Sequence, residues 1–290
     1  MLYGALEAGG TKMVMAMIDE GGNQLKRQVI PTRTPEETMP EMIQFFRENK
    51  AGALGVGCFG PLDLNPASPG YGRILSTPKL SWRNYPILDA FIEALDVPVA
   101  LDTDVNAAAL AEWKLGAAKG LNGCMYVTIG TGIGGGIISN GRILHGTMHP
   151  ELGHILLQPS PDDPMPEGIC PYHQGCLEGL ASGPSIERRW KISARDLPPA
   201  HPAWELESGY LARLCADAML FVAPERIILG GGIMHQQFLL DAIRRKTAEL
   251  LGGYLPDLSW GKSREEYIVP PALGDHSGIL GAWLLSRQAG

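Results

Sequence analysis

Four side chains that commonly bind metal ions are clustered in one part of the sequence. His154, Cys170, His173 and Cys176 have the spacing H-x15-C-x2-H-x2-C. Thiolate and imidazole groups are the ligands of tetrahedral zinc. Four protein ligands are typical of a structural site, whereas a hydrolytic zinc keeps one position open. The loop between these residues is rich in proline and glycine, so we expect the metal to order it. The spacing therefore predicts a structural Zn²⁺ site.

Two carboxylates accompany this cluster. Glu151 lies three residues before His154, and Glu178 lies two residues after Cys176. A metal bound here would hold both glutamates close together, and carboxylate and imidazole groups accept hydrogen bonds from hydroxyl groups such as those of a sugar. A solvated surface role for either glutamate is the alternative interpretation.

Three glycine clusters each follow a short apolar run that is typical of a strand. They are Gly9-Gly10-Thr11-Lys12, Gly130-Thr131-Gly132-Ile133-Gly134-Gly135-Gly136 and Gly230-Gly231-Gly232. Glycine lets backbone N–H groups approach an anion closely because it has no Cβ atom. Thr11 and Thr131 add hydroxyl donors, and Lys12 adds a positive charge. A single glycine turn is more often structural, but three turns of this kind predict a site for a triphosphate tail.

The second cluster does not indicate a dinucleotide-binding fold. Such a fold needs a helix after its glycines, and Ile137-Ile138-Ser139 continues as a strand pattern. The Walker pattern of P-loop proteins is absent from the sequence as well.

Asp104 is the candidate general base. It follows a predicted strand, Val97–Leu101, and precedes a predicted helix, Val105–Leu115, so it lies at the carboxyl end of a strand where α/β folds bind ligands. It could cap the helix, accept a proton from an attacking hydroxyl group, or do both. Asp102 and Asn106 are close in sequence and are candidates for contacts with substrate or with metal-bound water.

The elements around these residues predict the fold class. The glycine clusters near residues 9 and 131 each join two apolar runs as a hairpin, and this repetition predicts two related lobes. Strands alternating with helices predict an α/β fold with mixed sheets. We expect an N-terminal lobe over residues 1–115, a C-terminal lobe with the zinc loop over 116–275, and a final helix, 276–290, that packs back on the first lobe.

Composition excludes several classes of function. The 290 residues carry a net charge of −7, so nucleic acid is not an expected partner. The longest apolar runs are far too short to span a bilayer, and the N-terminus lacks the pattern of a signal peptide. We therefore expect a cytoplasmic protein with no membrane partner.

Six stretches of the chain together resemble the ROK family of repressors and sugar kinases, and within it the bacterial fructokinase branch. They are Glu7–Lys12, Thr103–Ala108, Gly130–Gly136, His149–His154, Cys170–Gly183 and Pro224–Gly232. They occur in the order of the family and span nearly the whole chain.

The resemblance implies an actin-like ATPase fold, related to ribonuclease H, with ATP between the lobes and Mg²⁺ accompanying it. It implies that Asp104 is the base, that Glu151, His154 and Glu178 contact the sugar, and that His154 is also a zinc ligand. It further implies a nucleotide site lined by Gly9, Gly10, Thr11, Lys12, Thr131, Gly132, Gly231 and Gly232, with Gly183-Pro184 near the nucleoside. A homodimer is compatible with the resemblance, and the oligomeric state stays open.

Three positions depart from the commonest family pattern. Glu7 stands where many members have aspartate, which leaves the magnesium contacts open. His173 replaces one cysteine of the usual metal cluster, and this replacement is typical of the fructokinase branch. Thr103 stands where glucose-specific members commonly have asparagine, which disfavours glucose.

The resulting prediction is an ATP-dependent kinase that phosphorylates the 6-hydroxyl group of fructose. A broader hexose kinase acting on mannose or glucose is the first alternative, and a non-catalytic sugar-sensing protein is the second. A DNA-binding repressor is disfavoured, because the first phosphate turn begins at Gly9 and leaves no room for a helix-turn-helix domain before it.

Overall fold

The computed structural model describes residues 1–255 and 263–289 as an α/β protein with two mixed β-sheets. The strands are β1 (Tyr3–Ala8), β2 (Lys12–Ile18), β3 (Gln24–Pro31), β4 (Ala53–Cys58), β5 (Val99–Thr103), β6 (Cys124–Ile129), β7 (Ile133–Ser139), β8 (Arg142–Ile143), β9 (Ile227–Gly230) and β10 (Ile268–Val269). The helices are α1 (Pro35–Glu48), α2 (Ile87–Leu95), α3 (Asp104–Lys114), α4 (Leu177–Ala181), α5 (Gly183–Trp190), α6 (Ala203–Phe221), α7 (Phe238–Leu251), α8 (Arg264–Tyr267) and α9 (Ser277–Ser286).

Both sheets have the same topology. The first has the order β3-β2-β1-β4-β5, and the second has the order β10-β9-β6-β7-β8. In each, the first two strands form an antiparallel hairpin, and the fourth strand pairs in parallel with the first. When the strands are numbered in chain order within each sheet, and the second sheet is taken from its β8 edge, both sheets have the order third, second, first, fourth, fifth. The predicted repetition of the glycine hairpin is part of this duplicated sheet, and the predicted mixed α/β class is confirmed.

The chain divides into two compact units. The first comprises Met1–Leu115, Ile143–Pro150 and Asp275–Gly290, and the second comprises Gly116–Arg142 and Glu151–Gly274. The predicted C-terminal lobe, 116–275, includes residues 256–262, and the predicted last segment, 276–290, ends at residue 290. Residues 256–262 and residue 290 lie outside the described parts of the chain.

In the first unit, successive side chains of β1 point to opposite faces of the sheet, and each face packs against its own hydrophobic cluster. Leu6 of β1 faces a core that includes Phe46 of α1 and Phe91 of α2. Ala5, on the opposite face, packs in a cluster with Ile279 and Trp283 of α9.

Glycines bring α9 into backbone contact with its neighbours. A Cβ atom on Gly55 of β4 would lie 1.8 Å from the carbonyl oxygen of Ala282, and one on Gly281 would lie 1.9 Å from the carbonyl oxygen of Ala107 in α3. No larger residue fits at either position without moving a backbone. This packing fixes α9 against β4 and against α3, whose first residue is Asp104.

In the second unit, helix α6 is the centre of the core. Its residues Leu211 and Cys215 are fully buried in the cluster that also contains Val127 of β6 and Leu229 of β9. The ends of β6 and β9, where two of the glycine clusters lie, are therefore attached to a rigid core.

Three strands, β3, β8 and β10, have no counterpart in the sequence-based prediction, and the two-residue strands β8 and β10 are too short to show a pattern. β3 is exposed along most of its length, with Ile30 as its single buried residue. It lies at the edge of its sheet and shows no alternation of apolar and polar residues, so the pattern that reveals a half-buried strand is missing. In the described parts of the chain, every helix is too short or too polar to span a membrane.

Candidate active site and metal centre

Asp104 is the first residue of α3, directly after β5. The N-cap residue is Thr103, whose Oγ1 atom accepts a hydrogen bond from the backbone N–H of Asn106 at 3.1 Å. The interpretation of Asp104 as the cap is therefore wrong, and its carboxylate is available for other chemistry. Burial raises the pKa of Asp104 to about 6, against the opposing effect of a hydrogen bond from the N–H of Val105 at 2.9 Å.

Glu7, on β1, is a second carboxyl group with a raised pKa. Burial, and then the negative charge of Asp104, raises its pKa to about 7, while the charges of Lys12 and Arg27 oppose the shift. Its carboxyl group lies against the first turn of α9, because a Cβ atom on Gly278 would be 2.6 Å from Glu7 Cδ. Mg²⁺ takes oxygen ligands and is commonly bound through one or two carboxylates, so Glu7 and Asp104 are the type of ligand that a magnesium ion needs.

A buried polar cluster supports the turn before Asp104. Asp102 is 4% exposed, and its Oδ1 atom accepts hydrogen bonds at 2.7 Å from both the N–H of Thr103 and Nδ2 of Asn106. The Nε2 atom of His145 lies 3.1 Å from the other oxygen, Oδ2. Asn106 is fully buried, so it contributes here to the cluster under the helix, and its predicted contact with substrate stays a prediction.

The first glycine turn, between β1 and β2, has its carbonyl groups occupied by protein. The N–H of Gly9 donates to Lys12 at 3.0 Å, Thr32 Oγ1 donates to the carbonyl of Gly9 at 2.7 Å, and Thr32 N–H donates to the carbonyl of Thr11 at 3.0 Å. Thr11 and Lys12 are exposed. The turn is therefore fixed from its carbonyl side, with its other polar groups available to a ligand.

The second glycine turn, between β6 and β7, lies against the start of α5. Gly130 N–H donates to the carbonyl of Gly132 at 2.9 Å, and the N–H of Gly183 donates to the carbonyl of Gly130 at 2.8 Å. Pro184 follows in the first turn of α5, where its missing N–H costs nothing. Thr131 is exposed at the tip of the turn.

The third glycine cluster meets the second. Gly231 has a φ of +89°, and a Cβ atom there would lie 2.5 Å from backbone atoms of Ile129. A Cβ atom on Gly130 would lie 3.9 Å from the backbone nitrogen of Gly232. The predicted nucleotide residues of the second unit thus form one continuous backbone surface, which suits the approach of an anion.

The four predicted metal ligands come together in the second unit. One ligand atom of each of His154, Cys170, His173 and Cys176 lies within 4.8 Å of all the others. Sulfur-to-nitrogen distances are 3.8 Å from Cys170 to His154 Nδ1, 3.6 Å from Cys170 to His173 Nδ1, and 3.7 Å from Cys176 to His154 Nδ1. Tetrahedral zinc with ordinary bond lengths places such atoms about 3.6 Å apart, so the donor set fits a zinc ion.

His154 links this cluster to a carboxylate. Its Nδ1 atom faces the two cysteines, while its Nε2 atom lies 3.9 Å from Oε1 of Glu178. The other oxygen of Glu178 accepts a hydrogen bond from the N–H of Ile133 at 2.9 Å. Glu151 is exposed, and its carbonyl accepts a hydrogen bond from the N–H of His154 at 3.0 Å. Glu151, His154 and Glu178 belong to the second unit, and Asp104 and Asn106 belong to the first.

The model of the ROK family matches residues 3–289. The chain belongs to the ROK family. The fructokinase of Zymomonas mobilis is 43% identical over 296 residues, covering 99% of this chain and 97% of that protein. The fructokinase of Pediococcus pentosaceus is 43% identical over 291 residues, covering 100% and 99%. A glucokinase of Halalkalibacterium halodurans is 28% identical over 331 residues, covering 99% and 95%.

Solved structures of ROK proteins have the same fold. A ROK hexokinase from Thermus thermophilus superposes with a TM-score of 0.78 at 30% identity, covering 99% of this chain and 98% of that chain. A ROK glucokinase from Streptomyces griseus, in complex with glucose and AMPPNP, superposes with a TM-score of 0.80 at 26% identity, covering 99% and 100%. The predicted actin-like α/β fold is confirmed.

Some residues that organise this ROK chain had no signal in the sequence. The loop that carries the predicted metal ligands is anchored by Asp163, whose Oδ1 atom accepts a hydrogen bond from Arg189 Nε at 2.7 Å and whose Oδ2 atom accepts one from Tyr210 at 2.6 Å. Both ionic side chains are almost completely buried. An aspartate in a loop and an arginine 26 positions away have no characteristic spacing. What distinguishes Asp163 and Arg189 from ordinary surface charges is that their side chains are buried together, and this burial exists only in the folded chain.

Proposed function

We propose that this chain transfers the γ-phosphoryl group of ATP to the 6-hydroxyl group of D-fructose, giving fructose 6-phosphate and ADP. The observation that carries the proposal is the ranking of its relatives. The two proteins named fructokinase are 43% identical over nearly their full length, whereas the one named glucokinase is 28% identical. ATP as the donor is supported by the AMPPNP bound to the Streptomyces griseus protein.

In this proposal Asp104 accepts the proton of the 6-hydroxyl group as its oxygen attacks phosphorus. A pKa of about 6 suits that task, because the carboxylate is mostly ionised at neutral pH and is more basic than an ordinary aspartate. Thr103 and the buried Asp102 cluster hold the helix start, so the carboxylate keeps its position.

The sugar hydroxyl groups are bound by Glu151, His154 and Glu178, with Asn106 as a further predicted contact. Glu178 is well placed for this, since the N–H of Ile133 holds one carboxylate oxygen while the other faces the ring of His154. A zinc ion on Nδ1 of His154 would fix the orientation of that ring and leave Nε2 on the side of Glu178. The role of such a zinc ion would be structural, because its four protein ligands leave no open position for substrate.

The phosphate tail of ATP is bound by residues of the glycine turns. The ligands are the predicted residues Gly9, Gly10, Thr11, Lys12, Thr131, Gly132, Gly231 and Gly232, with Gly183 and Pro184 toward the nucleoside. Mg²⁺ bound with ATP would neutralise charge on the phosphates. Glu7 and Asp104 are the carboxylates of this chain that could hold it, directly or through water.

An ADP-release assay across fructose, mannose, glucose, allose and N-acetylmannosamine tests the proposal. We expect the highest kcat/KM for fructose and the next highest for mannose, and phosphorus NMR should identify the 6-phosphate. A higher kcat/KM for glucose would favour the broader hexose kinase. ADP release that no sugar accelerates would contradict the kinase assignment altogether.

A further inference from the structure

The side chain of Lys79 runs over the first glycine turn. A Cβ atom on Gly10 would lie 3.3 Å from Lys79 Cε, so the lysine stem occupies the space that the absent side chain leaves. Lys79 is half-buried, yet its ammonium group makes no hydrogen bond or ion pair within residues 1–255 and 263–289. A half-buried lysine packs its apolar stem on the protein and keeps its ammonium group toward water. This one carries an uncompensated charge beside a turn that is built to meet anions.

The backbone of Lys79 is fixed on both sides. Its N–H donates to Oγ1 of the buried Thr77 at 3.3 Å, and its carbonyl accepts a hydrogen bond from the N–H of Trp82 at 2.9 Å. The indole of Trp82 is completely buried and donates to the carbonyl of Arg33 at 2.7 Å. Thr32, the neighbour of Arg33, holds the glycine turn, so the turn and, through Trp82, Lys79 are attached to two consecutive residues.

The turn itself has unused hydrogen-bond donors. The carbonyl groups of Gly9 and Thr11 are bonded to Thr32, whereas the N–H groups of Gly10 and Thr11 donate to no protein group in the described parts of the chain. Successive free N–H groups in a glycine turn form an anion-binding concavity. An ammonium group beside them adds three donors and a full charge.

We propose that Lys79 binds the phosphoryl oxygens of the nucleotide, together with the N–H groups of Gly10 and Thr11. The proposal rests on the proposed function only in taking ATP as the nucleotide. A phosphoryl oxygen supplies the counter-charge that Lys79 lacks, and the ammonium group offsets negative charge on the phosphates where the transfer begins. Lys79 is then a second phosphate ligand, in addition to Lys12 of the first glycine cluster.

Calorimetric titration of AMPPNP, ADP, AMP and fructose 6-phosphate into Lys79→Met, Lys79→Arg and the unaltered protein, together with kcat of each, tests this inference. Methionine keeps the apolar stem over Gly10 and removes the charge, and arginine keeps the charge. Losing a charge-assisted hydrogen bond corresponds to roughly a 10- to 100-fold loss of affinity. We expect a loss of that size for AMPPNP in Lys79→Met, a much smaller loss in Lys79→Arg, and unchanged AMP affinity. Lys26→Met is the control, because Lys26 bonds to Asn49 on the surface of the same unit.

Three results would overturn the inference. AMPPNP affinity and kcat within twofold of the unaltered protein in Lys79→Met would show that the stem only packs on Gly10. Loss of fructose 6-phosphate affinity with AMPPNP affinity intact would assign Lys79 to the sugar phosphate instead. An equal loss in Lys26→Met would show a general effect of net charge. If Lys79→Met does not fold, Lys79→Gln is judged by the same criteria. Binding of AMPPNP needs no sugar, so this test succeeds or fails independently of the assignment to fructose.

Discussion

The Nε2 atom of His145 lies 3.1 Å from Oδ2 of Asp102, a carboxylate that is 4% exposed and sits two residues before Asp104. The contact joins the segment 143–150 to the end of β5, directly before α3. The hydrogen bond from His145 to Asp102 raises the pKa of the imidazole, against the opposing effect of its partial burial. Protonation of His145 is therefore coupled to the stability of the turn that carries the proposed base.

We expect this coupling to depend on pH with a definite sign. A raised imidazole pKa stabilises the fold fully below the ordinary value of about 6.5, and the contribution is lost as pH rises through the raised value. His145→Gln should therefore lower the free energy of unfolding more at pH 5.5 than at pH 9. A double-mutant cycle with Asp102→Asn isolates the pair. A coupling energy of equal size at both pH values would contradict the assignment.

Asp104→Asn should abolish turnover and stabilise the protein. Without the base we expect kcat to fall by several orders of magnitude while fructose still binds. The folded-state pKa of about 6 lies above the ordinary value, so ionisation destabilises the fold as pH rises between the two values. The variant should gain roughly 1–3 kcal/mol in free energy of unfolding at pH 8 and almost nothing near pH 3.5. Asp241→Asn, which changes an exposed carboxylate, is the control.

The same pKa should appear in the kinetics. We expect kcat/KM for fructose to fall as pH drops below about 6, because the base must be ionised in the free enzyme. Glu7, with a pKa of about 7, becomes charged over an overlapping range, so the profile belongs to the pair. Glu7→Gln should leave a single ionisation in this limb. An unchanged, pH-independent rate between pH 5 and 8 would exclude Asp104 as the base.

The features that sequence revealed are those carried by local spacing. The ligands of the metal cluster and the glycine hairpins are short-range patterns, and the hairpins reappear as matching turns of two sheets with the same topology. Asp104 was identifiable because a strand ends and a helix begins there. Its role as a cap was wrong because Thr103, one residue earlier, makes that hydrogen bond. A shift of one residue is below what a pattern of apolar residues can resolve.

Other features depend on contacts between distant parts of the chain. His145 lies 43 residues from its partner Asp102, and a lone histidine has no characteristic spacing. Lys79 contacts Gly10 across 69 positions through the stem of its side chain. From sequence alone, a lysine in a loop is expected to be a solvent-exposed charge. These contacts become visible only once the sheet has brought the loops together.

Loss of the proposed zinc site should weaken sugar binding selectively. Metal analysis of the native protein should find one zinc ion per chain, and Cys176→Ser should lose it. Because His154 would lose the metal that orients its ring beside Glu178, we expect KM for fructose to rise much more than KM for ATP. Cys215→Ala, which removes a thiol of the core, should keep the zinc. Native protein without zinc, or an unchanged KM for fructose in Cys176→Ser, would contradict the prediction.

The buried pair of Asp163 and Arg189 should contribute strongly to the stability of the loop that carries the proposed zinc ligands. Arg189→Met leaves the carboxylate of Asp163 buried without a counter-charge, which typically costs about 3–5 kcal/mol. Tyr210→Phe removes only one hydrogen bond from the same carboxylate and should cost about 1–2 kcal/mol. Urea unfolding of both variants measures the difference. Equal destabilisation by the two substitutions would show that the charge of Arg189 is not what holds the loop.

Two neighbouring glycines should separate folding from nucleotide binding. Gly231 has a φ of +89°, and a Cβ atom there would lie 2.5 Å from the backbone of Ile129, so Gly231→Ala should lower the free energy of unfolding by at least about 1–2 kcal/mol. A Cβ atom on Gly232 meets no described atom within 4 Å, so Gly232→Ala should leave the unfolding curve unchanged. If phosphates bind against this backbone, the added methyl group occupies their space, and KM for ATP should rise while KM for fructose does not. A Gly232→Ala variant with normal stability and normal KM for ATP would remove Gly232 from the nucleotide site.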